Sequence, residues 1–206
     1  MRMRASVIVL GLVCGLNSWA QAAPDGAELA ACAACHGAQG QGNPALGAPR
    51  LAGQHFSYLW QQLRSFKVGA RGYDAQDSQG VLMRSALTAV PESALEGLAR
   101  HYAGLATAES PALAPQGRGA ALYQGTCAYC HGPDARGNAY LQSPNLRLLD
   151  AAYLDRQLRN YASGRRGNSE QDAIHGPWMR SVAMQLGDTD RQSVVEYLSR
   201  EEAVEE

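Results

Sequence analysis

Residues 32–37 read Cys-Ala-Ala-Cys-His-Gly, and residues 127–132 read Cys-Ala-Tyr-Cys-His-Gly, 95 positions further along the chain. Both strings contain Cys-x-x-Cys-His, the signature of covalent haem attachment in c-type proteins. Two cysteines at this spacing lie about one helical turn apart, so both sulfurs can reach the vinyl groups of one porphyrin. The next residue, histidine, then lies below the iron. We therefore expect two covalently attached haem c groups, each with an iron.

The attachment residues and the first iron ligand follow from the motif. They are Cys32, Cys35 and His36 in the first copy, and Cys127, Cys130 and His131 in the second. A lone Cys-x-x-Cys also occurs in redox dithiols and in zinc sites. A thioredoxin-like dithiol needs a βαβ setting, which this sequence lacks, and zinc knuckles rarely carry a helical repeat around them. The two complete motifs therefore favour haem.

A series of further matches extends the repeat across most of each half. The matching segments are 42–43 with 137–138, 58–59 with 153–154, 62–64 with 157–159, 69–71 with 164–166, and, after one extra residue, 83–85 with 179–181. Between the copies, the segment 106–115 is rich in Ala, Ser and Pro, which is typical of a linker. The repeat predicts a first domain over 24–105, a linker over 106–115 and a second domain over 116–206.

The hydrophobic pattern within each copy is helical. Apolar residues recur every three or four positions across 56–66, which predicts a helix with one apolar face. Asp25 followed by Glu28 forms a capping box that starts a helix running toward Cys32. The last helix of each copy is predicted to start at Pro91 and near Asp188. Because no segment shows convincing strand alternation, the predicted fold class is all-α, in two small domains.

The second axial ligand is predicted from methionine positions. Met83 and Met179 occupy equivalent repeat positions, 47 and 48 residues after the motif histidine of their copy, and each precedes Arg-Ser. Histidine–methionine ligation is common in cytochromes c, although a single methionine is more often a core filler. We expect Met83 and Met179 as ligands and Met184 as a core residue, with Met184 and His175 as the alternative ligands of the second site. Two further histidines without a repeated counterpart are expected as surface or helix-face residues, His55 and His101.

The N-terminal segment, residues 1–23, has the pattern of a Sec-type signal peptide, which predicts a periplasmic protein. Arg2 and Arg4 precede a short apolar run, and Ala20-Gln-Ala22 resembles a cleavage site. The run is shorter than a membrane span needs, which disfavours an anchor, and the residues before Cys14 do not fit a lipoprotein. Loss of the two arginines would take the formal charge from −1 to −3, too mild a balance to indicate nucleic-acid binding.

These motifs together resemble the cytochrome c4 family of dihaem cytochromes over nearly the whole mature chain. The resemblance rests on the first haem motif, on segments 49–54, 58–63 and 66–71, and on the segment around Met83. It implies two tandem class I cytochrome c domains related by a pseudo-twofold axis, with haems close enough to exchange electrons and propionates near the interface. It also implies His36 with Met83, and His131 with Met179, as the two ligand pairs.

The expected function is electron transfer without bond chemistry of the protein's own. We expect a monomeric carrier, diffusible or loosely associated with the membrane, between a respiratory donor complex and a terminal oxidase or reductase. An alternative is the dihaem subunit of a periplasmic dehydrogenase such as a flavocytochrome. A haem enzyme is a third alternative, but it needs an exchangeable iron site, which two methionine ligands disfavour.

Overall fold

The structure is a computed structural model that describes residues 24–108, 112–169 and 175–199. The predicted signal peptide, residues 109–111 of the predicted linker, residues 170–174 and the C-terminal residues 200–206 lie outside the described part. Within that part the chain forms helices and no strands, and two isolated β-bridges close the loops 43–48 and 138–143. The predicted all-α fold class is confirmed.

The first half contains four α-helices and a short 3₁₀ turn. They are α1 (Gly26–His36), the turn Pro44–Leu46, α2 (Phe56–Lys67), α3 (Ser78–Ala86) and α4 (Glu92–Ala103). The predicted capping box at the start of α1 is present. The Asp25 carboxylate accepts from the Glu28 N–H at 2.7 Å, and the Glu28 carboxylate accepts from the Asp25 N–H at 3.1 Å. Helix α4 begins one residue later than predicted, because Pro91 is its cap.

The second half repeats this order with one local change. Its elements are α5 (Arg118–Leu122), a wide π-helical turn (Tyr123–Cys127), α6 (Ala128–His131), the 3₁₀ turn Leu146–Leu148, α7 (Ala151–Ala162), α8 (His175–Ala183) and α9 (Asp188–Ser199). The single helix expected before the second motif is thus divided. Gly125 and Thr126 replace Ala30 and Ala31 of the first copy, and both are poorer helix formers than alanine.

Helices α3 and α8, which carry Met83 and Met179, were not expected from the sequence. Each contains an internal glycine, Gly80 or Gly176, and glycine disfavours helix. The structure accounts for Gly80 through the cap of α3, because the Asp77 carboxylate accepts from the Gly80 N–H at 3.1 Å and lies where a Cβ of residue 80 would project. The carbonyls of Gly80 and Gly176 in turn lie where a Cβ would project from Gly72 and Gly167, whose φ angles are +73° and +76°, so those two preceding positions require glycine. Packing of α3 on α2 and of α8 on α7 supports helices that local propensity alone does not favour.

Two hydrophobic cores support the two halves. In the first half, α2 packs against α4 around Leu59, Phe66, Leu95 and Leu98. In the second half, α9 packs against α5 and α7 around a core that includes Tyr123. In the described part of the chain, no helix has the length and hydropathy that crossing a bilayer requires.

Hydrogen bonds join the two halves along an extended interface. The Gln54 amide donates to the Asn145 carbonyl at 2.7 Å and accepts from the Asn145 N–H at 3.0 Å. The Ser57 hydroxyl donates to the Ala139 carbonyl at 2.7 Å, and the Tyr73 hydroxyl donates to the Gly164 carbonyl at 2.7 Å. The halves therefore contact each other through specific polar groups.

Candidate haem sites

The first Cys-x-x-Cys-His motif occupies the last turns of α1. Cys32 is partly buried, Cys35 is exposed, and His36 is the last residue of the helix and only 6% exposed. Gly37 follows with φ +82°, a conformation that glycine adopts easily, and turns the chain away directly after the histidine. The motif thus presents two thiols and one imidazole from a single helix end.

A backbone carbonyl orients the imidazole of His36. Its Nδ1 lies 2.8 Å from the Pro49 carbonyl oxygen, so Nδ1–H donates to that carbonyl. The hydrogen bond leaves Nε2 as the free nitrogen, which is the arrangement a metal-binding histidine uses. Burial lowers the pKa of His36, while the Pro49 hydrogen bond opposes that shift. The buried ring is thus kept in its neutral, ligand-competent form.

Met83 lines the same cavity as the first motif. The cavity has a volume of about 260 Å³, and its walls include Cys32, Cys35, His36 and Met83. Apolar side chains form most of the remaining wall, among them Leu59, Phe66, Leu87, Leu98 and Val90. A more open surface depression of about 350 Å³ beside Arg84 contains none of the motif residues. The enclosed cavity is therefore the one with the chemistry of a haem site.

The second motif has a similar arrangement. Cys127 ends the π-helical turn and Cys130 and His131 lie on α6, with Cys130 exposed and His131 only 7% exposed. The Nδ1 of His131 faces the Pro144 carbonyl at 3.4 Å, a longer contact than in the first half. Burial lowers the pKa of His131 and raises that of Cys127 to about 11. Met179 lies partly buried on α8, the counterpart of α3.

Two residues lie differently from expectation. Met184, expected in the core, is 57% exposed and directly follows the last residue of α8. His55, expected as a surface or helix-face residue, instead precedes α2 and is half-buried at the interface, where its Nε2 lies 2.8 Å from the Arg136 carbonyl oxygen. His101 lies on α4 with its ring edge-on to Tyr102. His175 begins α8 and packs against Trp178, with ring centroids 5.2 Å apart.

A buried polar cluster at the interface joins equivalent residues of the two copies. We name it the interface cluster; it consists of Tyr58, Gln62 and Arg71 from the first half and Tyr153, Gln157 and Arg166 from the second. The Arg71 guanidinium donates to Gln62 at 2.9 Å and to Gln157 at 3.1 Å. That of Arg166 donates to Gln157 at 2.7 Å and to Gln62 at 2.8 Å. Each glutamine therefore bridges both arginines.

The two positively charged arginines of the interface cluster are suited to lie beside the carboxylates of a haem. Arg71 and Arg166 are 6% and 5% exposed, and their side-chain hydrogen-bond partners among the described residues are amides and phenols. Among the described residues, the Arg71 Nε has no hydrogen-bond partner. A buried cation without a counter-charge is costly. Because Arg71 and four other members of the cluster line the first cavity, the carboxylates of a haem in that cavity would supply this charge.

Tyr58, Gln62 and Arg71 recur in both copies of the repeat, but the sequence alone assigned no role to them. The available signal was that three polar side chains recur at the same spacing in both copies, although polar residues of surface helices usually diverge. Their burial in the structure accounts for the repetition.

Comparisons with known proteins agree with this geometry. The sequence profile of the family described as "Cytochrome c" matches residues 23–92 and 117–200. Cytochrome c4 of Stutzerimonas stutzeri is 34% identical, over 95% of this chain and 98% of the relative. The thiosulfate dehydrogenase electron acceptor of Thiomonas intermedia is also 34% identical, over 88% of this chain and 82% of the relative.

A solved structure has the same arrangement of helices. Reduced cytochrome c4 from Pseudomonas stutzeri superposes with a TM-score of 0.66 at 32% identity, over 86% of this chain and 98% of that one. Together with the two complete Cys-x-x-Cys-His motifs, these findings establish the cofactor. The chain carries two covalently attached haem c groups, one in each half.

Proposed function

We propose, from the premise that this chain belongs to the cytochrome c4 family of dihaem cytochromes, that it carries electrons in the periplasm between a respiratory donor and a terminal oxidase or reductase. The main support is the pairing of two haem sites across a buried interface cluster that residues of both halves build. Such an arrangement suits a relay, because an electron received by one half has a second site beside it.

The proposed ligands follow from position and burial. Cys32 and Cys35 would form the thioether links of the first haem, with His36 and Met83 as axial ligands. The equivalent residues of the second haem would be Cys127 and Cys130 for the links and His131 and Met179 for the iron. The support is that His36 and Met83 line one cavity, and that Met179 occupies the equivalent helix of the second half.

The protein residues create the conditions for electron exchange. When bound, haem c supplies reversible one-electron chemistry at its iron. Leu59, Phe66 and Leu98 exclude water from the first cavity, which favours little reorganisation on electron transfer. Pro49 fixes the His36 ring through Nδ1, and the guanidinium of Arg71 offsets negative charge at the cavity edge. The residues thus hold a ligand set rather than move protons.

The surface beside the first cavity offers a route for electrons. Cys35 is exposed, and the cavity-lining side chains Leu46 and Leu82 are 52% and 68% exposed. In the second half, Cys130 and Trp178, the repeat counterpart of Leu82, are also exposed. We infer that partners approach these apolar edges, where the distance from cofactor to surface is short.

The experiment uses the reduced holoprotein and membranes from the source organism. We expect rapid oxidation that an inhibitor of the terminal oxidase stops. The protein should also exchange electrons with small redox mediators, yet show negligible peroxidase or thiosulfate-oxidising turnover. Oxidation that is insensitive to the inhibitor and no faster than in buffer would contradict the carrier function, and fast turnover of peroxide would support an enzyme.

A second candidate partner is favoured by the relative from Thiomonas intermedia, which is a thiosulfate dehydrogenase electron acceptor. The present chain would then accept electrons from a dehydrogenase of that type, either as a diffusible monomer or as its subunit. The test mixes the oxidised holoprotein with a purified thiosulfate dehydrogenase and thiosulfate. Fast haem reduction that needs both additions would identify this donor, and reduction no faster than without the dehydrogenase would exclude it.

A further inference from the structure

Lys67 is the last residue of α2, and its ammonium group binds the chain that follows the Met83 helix. The Nζ donates to the carbonyls of Leu87 at 2.9 Å, Thr88 at 3.0 Å and Val90 at 2.6 Å. The three N–H bonds of a lysine ammonium are thus all used on one short segment.

This segment directly follows the C-terminal end of α3 and begins with Leu87, the cap residue of that helix. The helix ends at Ala86, and the last carbonyls of any helix lack partners within the helix and carry partial negative charge. Lys67 supplies both a donor and a positive charge at that end. It thereby ties the end of the helix bearing Met83 to α2, one wall of the first cavity.

The second half lacks this tie. The repeat counterpart of Lys67 is Ala162, whose side chain has no hydrogen-bond donor. There the chain after the methionine helix is fixed from the other side. The buried Arg191 of α9 donates to Asp155 of α7 at 2.8 Å and to Asp188 at 2.6 Å. Those contacts join α7 to the start of α9 and bind no carbonyl at the end of α8.

We propose that Lys67 is a positioning residue that holds Met83 at its iron, and that the alanine at the equivalent position leaves Met179 the more easily displaced ligand. The proposal rests on the ligand assignment made under the proposed function. It gives the two otherwise similar sites different properties. The first site keeps its methionine firmly, and the second exchanges it more readily for an external ligand.

The test titrates the ferric holoprotein with imidazole, which competes with methionine for iron. The hyperfine-shifted methyl resonance of each axial methionine reports its own haem, with Met83→Ala and Met179→Ala as reference spectra. In the wild type we expect the second haem to bind imidazole more tightly than the first. Lys67→Met keeps the aliphatic stem but loses three hydrogen bonds, so it should raise the imidazole affinity of the first haem about tenfold, equivalent to about 1.4 kcal/mol.

Two controls separate positioning from charge and from folding. Arg64→Met removes one cation from the same helix, where the exposed guanidinium only stacks 5.0 Å from the Trp60 ring centroid, and should leave both affinities unchanged. Lys67→Arg keeps a cationic donor and should restore part of the wild-type resistance. The wild-type comparison between the two haems needs no variant, so a poorly folding Lys67→Met does not prevent the test.

The proposal is overturned if the wild-type second haem binds imidazole no more tightly than the first, or if Lys67→Met and Arg64→Met have the same effect. Failure of the ligand assignment is a separate outcome. It would appear as a Met83→Ala protein that keeps both methionine resonances.

Discussion

Met83 and Met179 are partly buried on equivalent helices, whereas Met184 is 57% exposed one residue beyond α8. We predict that Met83→Ala and Met179→Ala each abolish the iron–thioether absorption of one haem and lower the reduction potential of that haem. The reason is that a thioether ligand favours reduced iron. Visible and near-infrared spectra with a redox titration provide the measurement.

Met184→Ala is the matched control, because it removes an exposed thioether from the same region. It should leave both spectra and both potentials unchanged. Loss of a band in Met184→Ala, together with an intact spectrum in Met179→Ala, would move the second ligand to residue 184. His175→Ala tests the other alternative, and an unchanged spectrum is expected there.

At the scale of single elements, α1 carries the first motif and begins at the Asp25 capping box. We predict that Asp25→Ala lowers the free energy of unfolding by about 1 kcal/mol, because an N–H in the first turn loses its acceptor. Asp25→Asn, which retains a side-chain acceptor, should lose less. Denaturant unfolding of the holoprotein measures both, and equal losses in the two variants would show that charge, not capping, matters at this position.

The start of α9 gives a prediction about pH. Hydrogen bonding and charge interaction with Arg191 lower the pKa of Asp188 below its ordinary value. A carboxylate whose pKa is lower in the folded than in the unfolded state stabilises the folded protein at pH values above the unfolded-state pKa, which is about 3.9. This stabilisation is lost as the pH falls through the folded-state pKa. The wild-type protein should therefore have a higher melting temperature than Asp188→Asn at neutral pH, and this difference should decrease as the solution becomes acidic. Thermal melts from pH 7 to pH 2 measure it, and a difference as large at pH 2 as at pH 7 would contradict this linkage.

Element prediction from the sequence succeeded where local chemistry decides the outcome. The cap at Asp25 and the apolar face of α2 are local features, and both are present. Helices α3 and α8 were missed because Gly80 and Gly176 lower helix propensity, while the packing of these helices on α2 and α7 is not a local feature of the sequence. The divided helix before the second motif was missed for the opposite reason. The repeat suggested one helix, and the local residues Gly125 and Thr126 altered it.

At the scale of the whole molecule, the repeat predicted two similar haem-binding halves but not how they meet. Gln62 and Arg166 are hydrogen-bonded although 104 positions separate them. On a helix, polar side chains such as Gln62 and Gln157 have the pattern of a solvated face, so hydrophobic periodicity gave no sign that they are covered. Gln62 and Gln157 are covered because the two halves pack against each other.

The interface cluster leads to a prediction about the whole molecule, made with the double variant Gln62→Leu/Gln157→Leu. The variant removes the two amide oxygens that accept from both guanidiniums, so Arg71 and Arg166 would stay buried with fewer partners. Leaving a buried donor without its acceptor typically costs roughly 1–3 kcal/mol, and more when the donor is charged. We therefore expect the halves to separate, with a larger radius of gyration in small-angle scattering and slower electron exchange between the haems after pulsed reduction.

Gln61→Leu is the control, because Gln61 lies beside Gln62 on α2 but donates to Ser65 within its own helix. If the double variant stays as compact as Gln61→Leu and relays electrons as fast, the interface cluster does not hold the two halves together, and the apolar and backbone contacts around it must do so.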